Sequence, residues 1–388
     1  MRTFHNDLSR FRQLATASIL LGLILAATTA SAAELYQYKE GTFDKGRLSR
    51  VDGLAVLELE GTPAEMGRQA AALTSDAAKE LLSYTKKLIA NRAGGRGWPM
   101  LQRVSRPLLP NFPSHHRVEL ESYARKAGID TTQMVTANVM VDIYRLFGCS
   151  SLVVEPERSE TGGPLFGRNL DFYTLGVIHR YTMVTICRPE GKHAFASIGF
   201  PGLIGTFSGM NDAGLALAVH EVSSTKDGSL MFDRRGTPYS LCFRRILEEC
   251  TTIEEAEKLL KRMKRTTRLN LVVCDRQHGG VLEITPQNVV LRRSKDGICA
   301  CTNHFRTATL ASYLPRCDRY KKLSDVDETE SLGLKHVAEK LHAVNMGNMT
   351  LQTMIFEPKT LKLHLAAGAC PSSAEPLREI DLSELLGE

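Results

Sequence analysis

The sequence predicts an α+β protein built as a layered sandwich, and three observations point there. Helical patterning fills the first part of the chain, strand patterning takes over after Gly148, and a helix pair divides two runs of strands. That order suits packed layers better than the alternating βαβ units of a parallel-sheet fold. The 388 residues are enough for one large domain with a substantial core.

The chain begins with Arg2, Arg10 and Arg12 ahead of an apolar run from about Leu14 to Ala27, closed by Ala30-Ser31-Ala32. This is the form of a secretory signal peptide over residues 1–32, so an exported protein, periplasmic or extracellular, is expected. A membrane anchor needs about 20 apolar residues, more than this run supplies. No lipid-attachment cysteine closes the run either. Without the leader, three arginines and one aspartate are lost and the formal charge falls from +6 to +4. That balance is too mild for a nucleic-acid partner, and the densest basic run, Lys261 to Arg268, reads as a solvated helix end.

Residues 33–148 form the mainly helical segment. "TPAEMGRQAAALTSDAAKELLSYTKKLIANR" runs helically with Thr62 or Ser75 as cap. After the break at "AGGRGWP", two more helices follow in "HHRVELESYARKAGID", ended by Gly128, and "TTQMVTANVMVDIYRLF". Residues 149–388 then read as "SSLVVE", "PLFGRNLDF", "RYTMVTICR", "HAFASIGF" and "GLALAVHEV", strands separated by Gly, Pro and charged turns. "SLCFRRILEECTTIEEAEKLLKRM" gives two helices split at Thr251 and Thr252, with Glu254 placed to close the second cap. Four further strands end in "GICACTNHF", a helical stretch runs from about Ser312 to His342, and "TMIFEPKTLKLHLAAG" makes a last hairpin.

Nine cysteines in an exported chain permit disulfides, but they lack the dense spacing of a stapled scaffold, and an odd number leaves at least one unpaired. Cys299, Cys301 and His304 make a poor zinc set, since such sites usually show two spaced pairs. No metal and no cofactor are expected.

The chemistry concentrates at Gly148-Cys149, where the helical segment ends and the strands begin. A thiol in an ordinary core strand is inert. If the Gly148–Cys149 bond is cut, however, the α-amine of Cys149, with an ordinary pKa of about 7.7 to 8.0, lies within reach of its own thiol and serves as its base. The thiol can make that cut itself by attacking the preceding carbonyl, and glycine leaves room for the strained backbone this requires. Arg168 would favour the thiolate and Asp171 would orient the amine. Residues three apart point to opposite faces of a regular strand, so sharing one site requires a bend or an end between them. A surface hairpin with an ion pair is the ordinary reading of "RNLD". "GTFSG" places its glycines at the wrong offset from Ser208 for a nucleophile elbow, and no metalloprotease His-Glu-x-x-His helix occurs.

Taken together, Gly148-Cys149-Ser150-Ser151, "GRNLDF", "GTFSGMNDAGLALAVHE", "TTIEEAEKLLKR", "LVVCD" followed by "VLEIT", "CTNHF" and "MIFEPKTLKLHLAAG" resemble the N-terminal-nucleophile hydrolases. The likeness is to the group around acyl-coenzyme A:6-aminopenicillanic acid acyltransferase, with acid ceramidase and N-acylethanolamine acid amidase as more distant kin. "LELEGTPAEMGRQ" resembles the family's opening segment. The resemblance implies a four-layer αββα sandwich preceded by the helical segment, with Cys149 as nucleophile, released by self-cleavage at Gly148-Cys149. It implies that Arg168 and Asp171 are the paired second-strand residues, that Asn303 lends its amide to the oxyanion hole, and that a backbone N–H near His220 or Glu221 is the second donor. Arg316 matches the late arginine best; Arg319 is also available, and Pro315 stands where some members have serine. His304, beside Asn303, is expected on the other face of a strand.

These readings imply an exported, self-processing cysteine amidohydrolase or acyltransferase. It would act on the C–N bond of a small-molecule N-acyl amide or acyl donor, with residues 33–148 staying bound as the smaller subunit. The alternatives are a lipid amidase for ceramide-like or N-acylethanolamine substrates and, from another class, a catalytically silent exported binding protein. Asn348-Met-Thr350 is a glycosylation sequon.

Overall fold

The computed structural model describes residues 35–387 except 94, 145–146, 173–176, 313–315 and 328. The expected leader at 1–32 and Pro315 lie outside the described residues. Among the described residues no helix is long and apolar enough to cross a membrane.

Sixteen strands are described, in two sheets, and the molecule is α+β. The first departure from expectation comes early: residues 41–61, read as the start of a helical segment, form β1 (Gly41–Phe43), β2 (Gly46–Val51) and β3 (Leu54–Gly61). "GRLSRV" and "LAVLELEG" pair in register from Val51↔Leu54 to Arg47↔Glu58. Asp52 and Gly53 between them both have positive φ, at 47° and 78°, the backbone that a two-residue hairpin demands and that Asp-Gly supplies. Four helices follow: α1 (Pro63–Ala93), α2 (Gly97–Ser105), α3 (Ser114–Ala127) and α4 (Thr131–Ile143). A reciprocal box starts α1, in which Thr62 Oγ1 accepts the Glu65 N–H and the Glu65 carboxylate accepts the Thr62 N–H. Gly128, at φ 64°, ends α3.

β4 (Phe147–Val154) and β5 (Leu165–Phe172) are antiparallel neighbours in the six-stranded sheet. Its order is β13 (Ile298–Cys301), β4, β5, β14 (Thr350–Glu357), β15 (Lys362–Ala367) and β16 (Arg378–Asp381). The ten-stranded sheet runs β1, β2, β3 and then β6 (Met183–Pro189), β7 (Phe195–Gly199), β8 (Ser208–Asn211) and β9 (Ala216–Glu221). β10 (Leu269–Cys274), β11 (Gly279–Ile284) and β12 (Val289–Arg293) complete it. Only the β3–β6 pairing is parallel among the described ladders.

Between the two strand runs, α5 (Tyr239–Glu249) and α6 (Ile253–Arg262) form the expected pair. Thr252 caps α6, and Glu255, rather than Glu254, closes back onto Thr251. The late helical stretch divides into α7 (Asp318–Ser324) and α8 (Leu334–His342), and α9 (Leu382–Leu386) is last.

The three largest apolar clusters among the described residues hold most of these elements. The largest joins Met66, Leu120, Tyr123 and Val139 of the early helices and Leu241 and Phe243 of α5 to Leu57, Leu217 and Leu271 of the ten-stranded sheet. A second joins Val56, Val184, Ala218 and Val272 of that sheet to Val153, Phe166, Met354 and Phe356 of the other. In the third, Leu152, Val154, Leu165 and Ile355 meet Leu323, Val337 and Leu341 of α7 and α8. At roughly 25 cal/mol per Å² of apolar surface buried, such contacts dominate the folding drive.

Candidate active site around Cys149

Cys149 lies in β4 opposite Leu170 of β5, and its side chain is completely buried. Each polar group of this residue is held by a different element. Its Sγ lies 3.6 Å from Arg168 Nη2. Its N–H donates to Asn303 Oδ1 at 2.9 Å, and its carbonyl oxygen accepts from Arg319 Nη1 at 2.9 Å. Burial pushes the thiol up to about 11, against the pull of Arg168.

Arg168 is also fully buried. Its Nη1 donates to the Val219 carbonyl of β9 at 2.8 Å, so one guanidinium bridges the two sheets and is aimed at the thiol. Burial pulls its own pKa down, while the thiolate beside it would restore it.

The strand alternation that set Arg168 against Asp171 is kept. Phe166 and Leu170, which alternate with Arg168, pack toward the ten-stranded sheet. Gly167 and Asn169 meet α8 instead, the latter donating to the Leu341 carbonyl. Asp171 belongs to this second face: its Oδ1 accepts from Thr350 Oγ1 at 2.6 Å, and its Oδ2 lies 3.7 Å from Arg319 Nη1. No bend is therefore needed to use both residues. Arg168 addresses the thiol from one face of the sheet, and Asp171 stands on the other, opposite Gly148 in the ladder. Burial raises the Asp171 carboxyl to about 7, with Thr350, Arg319 and Arg168 opposing.

Asn303 follows β13 in a loop rather than on a strand. Two donors meet at its Oδ1, Cys149 N–H and Arg319 Nη2 at 3.0 Å, which fixes the orientation of the amide, and its Nδ2 donates to the Glu221 carbonyl at 3.0 Å. Glu221 thus turns its backbone to the same edge of β9 as Val219, two residues away. His220, between them, turns its backbone to β10, opposite Asn270. Of the two residues named for a backbone donor, the geometry favours Glu221. The His220 ring is buried and held neutral, its pKa driven well down by burial and by Arg168.

The late arginine is corrected. Arg316 is exposed, whereas Arg319, on the first turn of α7, reaches Cys149, Asn303 and Asp171. Arg316 precedes the Cys317 cap of α7 and Arg319 lies just inside the helix, and the sequence carries no signal for which of the two faces the sheet. Gly148 is also reinterpreted: its φ is not positive, but a Cβ there would come within 2.7 Å of Met346 Sδ. Space, rather than backbone conformation, is what glycine provides.

His304 shares the loop of Asn303 and is turned to Tyr320, its rings 5.6 Å apart, with its pKa lowered to about 4 by burial and Arg306. Cys299 and Cys301 face the inter-sheet core, apart from that imidazole. The nine cysteines are all free thiols. Among the described residues one further set, His115, His116 and Glu248, has ligand atoms within 4.8 Å of one another. Lys192 and Arg244 already donate to the Glu248 carboxylate, so this set is a charge cluster rather than an open metal site. Sequence reasoning missed Thr350 and this cluster; charged residues on the apolar faces of α3 and α5 were the only trace of the latter.

A buried cysteine held at sulfur, nitrogen and carbonyl within an α+β frame is the arrangement of a candidate cysteine-nucleophile site. The chain belongs to the acyl-coenzyme A:6-aminopenicillanic acid acyl-transferase family, whose model matches residues 158–369. That span includes Arg168, Asp171, Asn303 and Arg319 and begins after Cys149. The chain is 24% identical over 197 residues to acid ceramidase of Rattus norvegicus, covering 46% of this chain and 49% of the relative. To an uncharacterized protein of Archaeoglobus fulgidus it is 24% identical over 311 residues, 71% of this chain and 51% of the relative. It thus spans about half the length of the curated relatives it matches. Among solved structures, the Caenorhabditis elegans ortholog of N-acylethanolamine-hydrolyzing acid amidase aligns at TM-score 0.44 and 18% identity, covering 54% of this chain and 93% of that one.

Proposed function

We propose that the protein is an exported, self-processing cysteine amidohydrolase or acyltransferase of the N-terminal-nucleophile type, with a four-layer αββα core. The observation that carries this is the threefold hold on Cys149: Arg168 at its sulfur, Asn303 at its nitrogen and Arg319 at its carbonyl. The three apolar clusters, helices on sheet, sheet on sheet, sheet on helices, support the layering.

In the first reaction the Cys149 thiol attacks the Gly148 carbonyl. The C–N bond breaks as the acyl group passes to sulfur, and the thiol proton goes to the departing nitrogen. Water then releases Gly148 as a carboxylate and restores the thiol. The nitrogen now bonded to Asn303 Oδ1 has become an amine, which can take the thiol proton in every later turnover. Arg168 stabilises the thiolate, lowering the cost of a thiol that burial has raised. Attack on an N-acyl amide gives a tetrahedral oxyanion beside Asn303 and Glu221; one such preorganised donor contributes about 3 to 4 kcal/mol. The amine leaves with the proton, and water or an acceptor amine takes the acyl group from sulfur.

The test is denaturing intact-mass analysis of the purified protein beside Cys149→Ala, followed by an N-acyl amide screen. Two fragments, the larger starting at Cys149, against one uncut mutant chain are expected. An uncut wild-type chain with an unreactive thiol would favour the silent binding protein instead. The match to acid ceramidase supports a second reading, a lipid amidase, and turnover confined to detergent-dispersed N-acyl lipids would select it.

A further inference from the structure

The β5–β14 ladder pairs Met354 with Arg168, Thr353 with Asn169 and Gln352 with Leu170, then slips so that Thr350 faces Asp171. Continued in register, Leu351 would stand there. The bulge replaces an apolar neighbour with a hydroxyl, and bulges of this kind re-aim side chains beside active sites.

What the hydroxyl does follows from its partners. The Met346 N–H donates to Thr350 Oγ1 at 2.8 Å. Since that group can only donate, the Thr350 hydrogen is committed to Asp171 Oδ1, at 2.6 Å. Thr350 is fully buried, so no water competes. The same turn touches the other side of the scissile bond, because Met346 Sδ lies 2.7 Å from where a Gly148 Cβ would be.

We propose that Thr350, delivered by the bulge and locked by the Met346 N–H, is a positioning residue that fixes the Asp171 carboxylate for self-cleavage and for the amine that cleavage releases. This rests on the reading of Cys149 as the nucleophile. It also accounts for the threonine of the Asn348-Met-Thr350 sequon without a glycan. The charged and titratable groups whose fields reach Asp171 are Arg319 from α7, paired with it on the same face, and, from the other face of the sheet, Arg168 of its own strand and the Cys149 thiol of β4. Removing the hydroxyl takes away the hydrogen bond that holds the carboxyl down against burial.

The experiment compares Thr350→Val and Thr350→Ser with wild type. Cutting is followed by intact mass across pH, and Asp171 is titrated by carbon-13 NMR in the uncut Cys149→Ala background. Thr350→Val is expected to cut about 10- to 100-fold more slowly, the loss carried by one hydrogen bond to a charged group. Its Asp171 midpoint should lie above that of the parent, and Thr350→Ser should restore both. If Thr350→Val does not fold, Thr350→Ala carries the same comparison. An unchanged cutting rate without the hydroxyl, or an unchanged Asp171 midpoint, overturns the proposal. Cutting of Cys149→Ala at the wild-type rate would instead sink the nucleophile assignment, and the Asp171 titration, then run on the cut Cys149→Ala protein with and without the Thr350 hydroxyl, would still decide the role of Thr350.

Discussion

Replacing Arg244 by methionine tests how the early helices are fastened to the sheets. Arg244 on α5 is 2% exposed and donates through Nη1 and Nη2 to Glu119 of α3, at 2.9 and 2.6 Å, and through Nε to Glu248 at 2.8 Å. Its Nη1 also serves the Ile204 carbonyl. The two carboxylates are not equivalent. Burial alone would raise Glu248, but Arg244, His116 and the hydrogen bonds of His115 and His116 outweigh it and hold it well below the usual range. Glu119 relies on Arg244 and is raised by burial in spite of it. Methionine therefore strands one buried carboxylate, an expected loss of about 3 to 5 kcal/mol, readable by urea denaturation of the uncut Cys149→Ala chain. Without its partner Glu119 takes up a proton at a pKa above its unfolded value. The variant then loses stability as pH rises through that raised pKa, and the deficit is smaller at pH 5 than at pH 8. Adding Glu119→Gln should recover most of it. A deficit below about 1 kcal/mol, the value of an exposed pair, or one that Glu119→Gln leaves untouched, would refute the reasoning.

Three further outcomes follow from the geometry at Cys149. Arg168→Met should raise the thiol beyond its already high value of about 11 and shift the pH profile of iodoacetamide labelling upward by roughly one unit or more. Arg319→Ala should slow the appearance of the Cys149 fragment by at least about tenfold while Arg316→Ala leaves it unchanged, both read by intact mass. For Asp171 the native pKa is raised from 3.8 to about 7, so the native state holds the extra proton in that window. The uncut Cys149→Ala chain should accordingly lose stability between pH 4 and 7, by roughly 4 kcal/mol at 1.36 kcal/mol per pH unit. Asp171→Asn should flatten that limb of the urea-derived profile.

Local signals carried far in this chain. The capping residues Thr62 and Thr252, the terminator Gly128, the helix pair and the final hairpin were readable because each is decided by a few neighbouring residues. β1 to β3 were missed although "RLSRV" and "LAVLELEG" with Asp52-Gly53 between them are a complete hairpin signal; the long helical run that follows overshadowed them. The parallel β3–β6 pairing was not legible, because it joins residues more than a hundred positions apart. In the site, residue types were readable and directions were not. Arg316 and Arg319 stand on either side of the start of a short helix that local sequence does not place, and Thr350 depends on a bulge whose extra residue, Leu351, looks like any other core leucine.

The way Arg168 and Asp171 are placed explains why a strand, rather than a loop, carries the cysteine. A regular strand sends alternate side chains to opposite faces while its backbone lies in the plane between them. Cys149 therefore presents its thiol to one face, where Arg168 can be kept dry between two sheets, and leaves its nitrogen and carbonyl in the plane, where Asn303 and Arg319 reach it from the edge. Asp171 stands on the opposite face of the neighbouring strand, and its charge opposes the thiolate less than Arg168 favours it. Arg319 stands beside Asp171 and bonds the Cys149 carbonyl. A cation at the sulfur and an anion across the sheet is the arrangement that would draw a proton from thiol to amine, and the pleat of the strand supplies that separation without strain. Exchanging the pair, Arg168→Asp with Asp171→Arg, would conserve composition and invert this field. The exchanged protein should show no cutting and a thiol slower to alkylate at every pH than that of Arg168→Met.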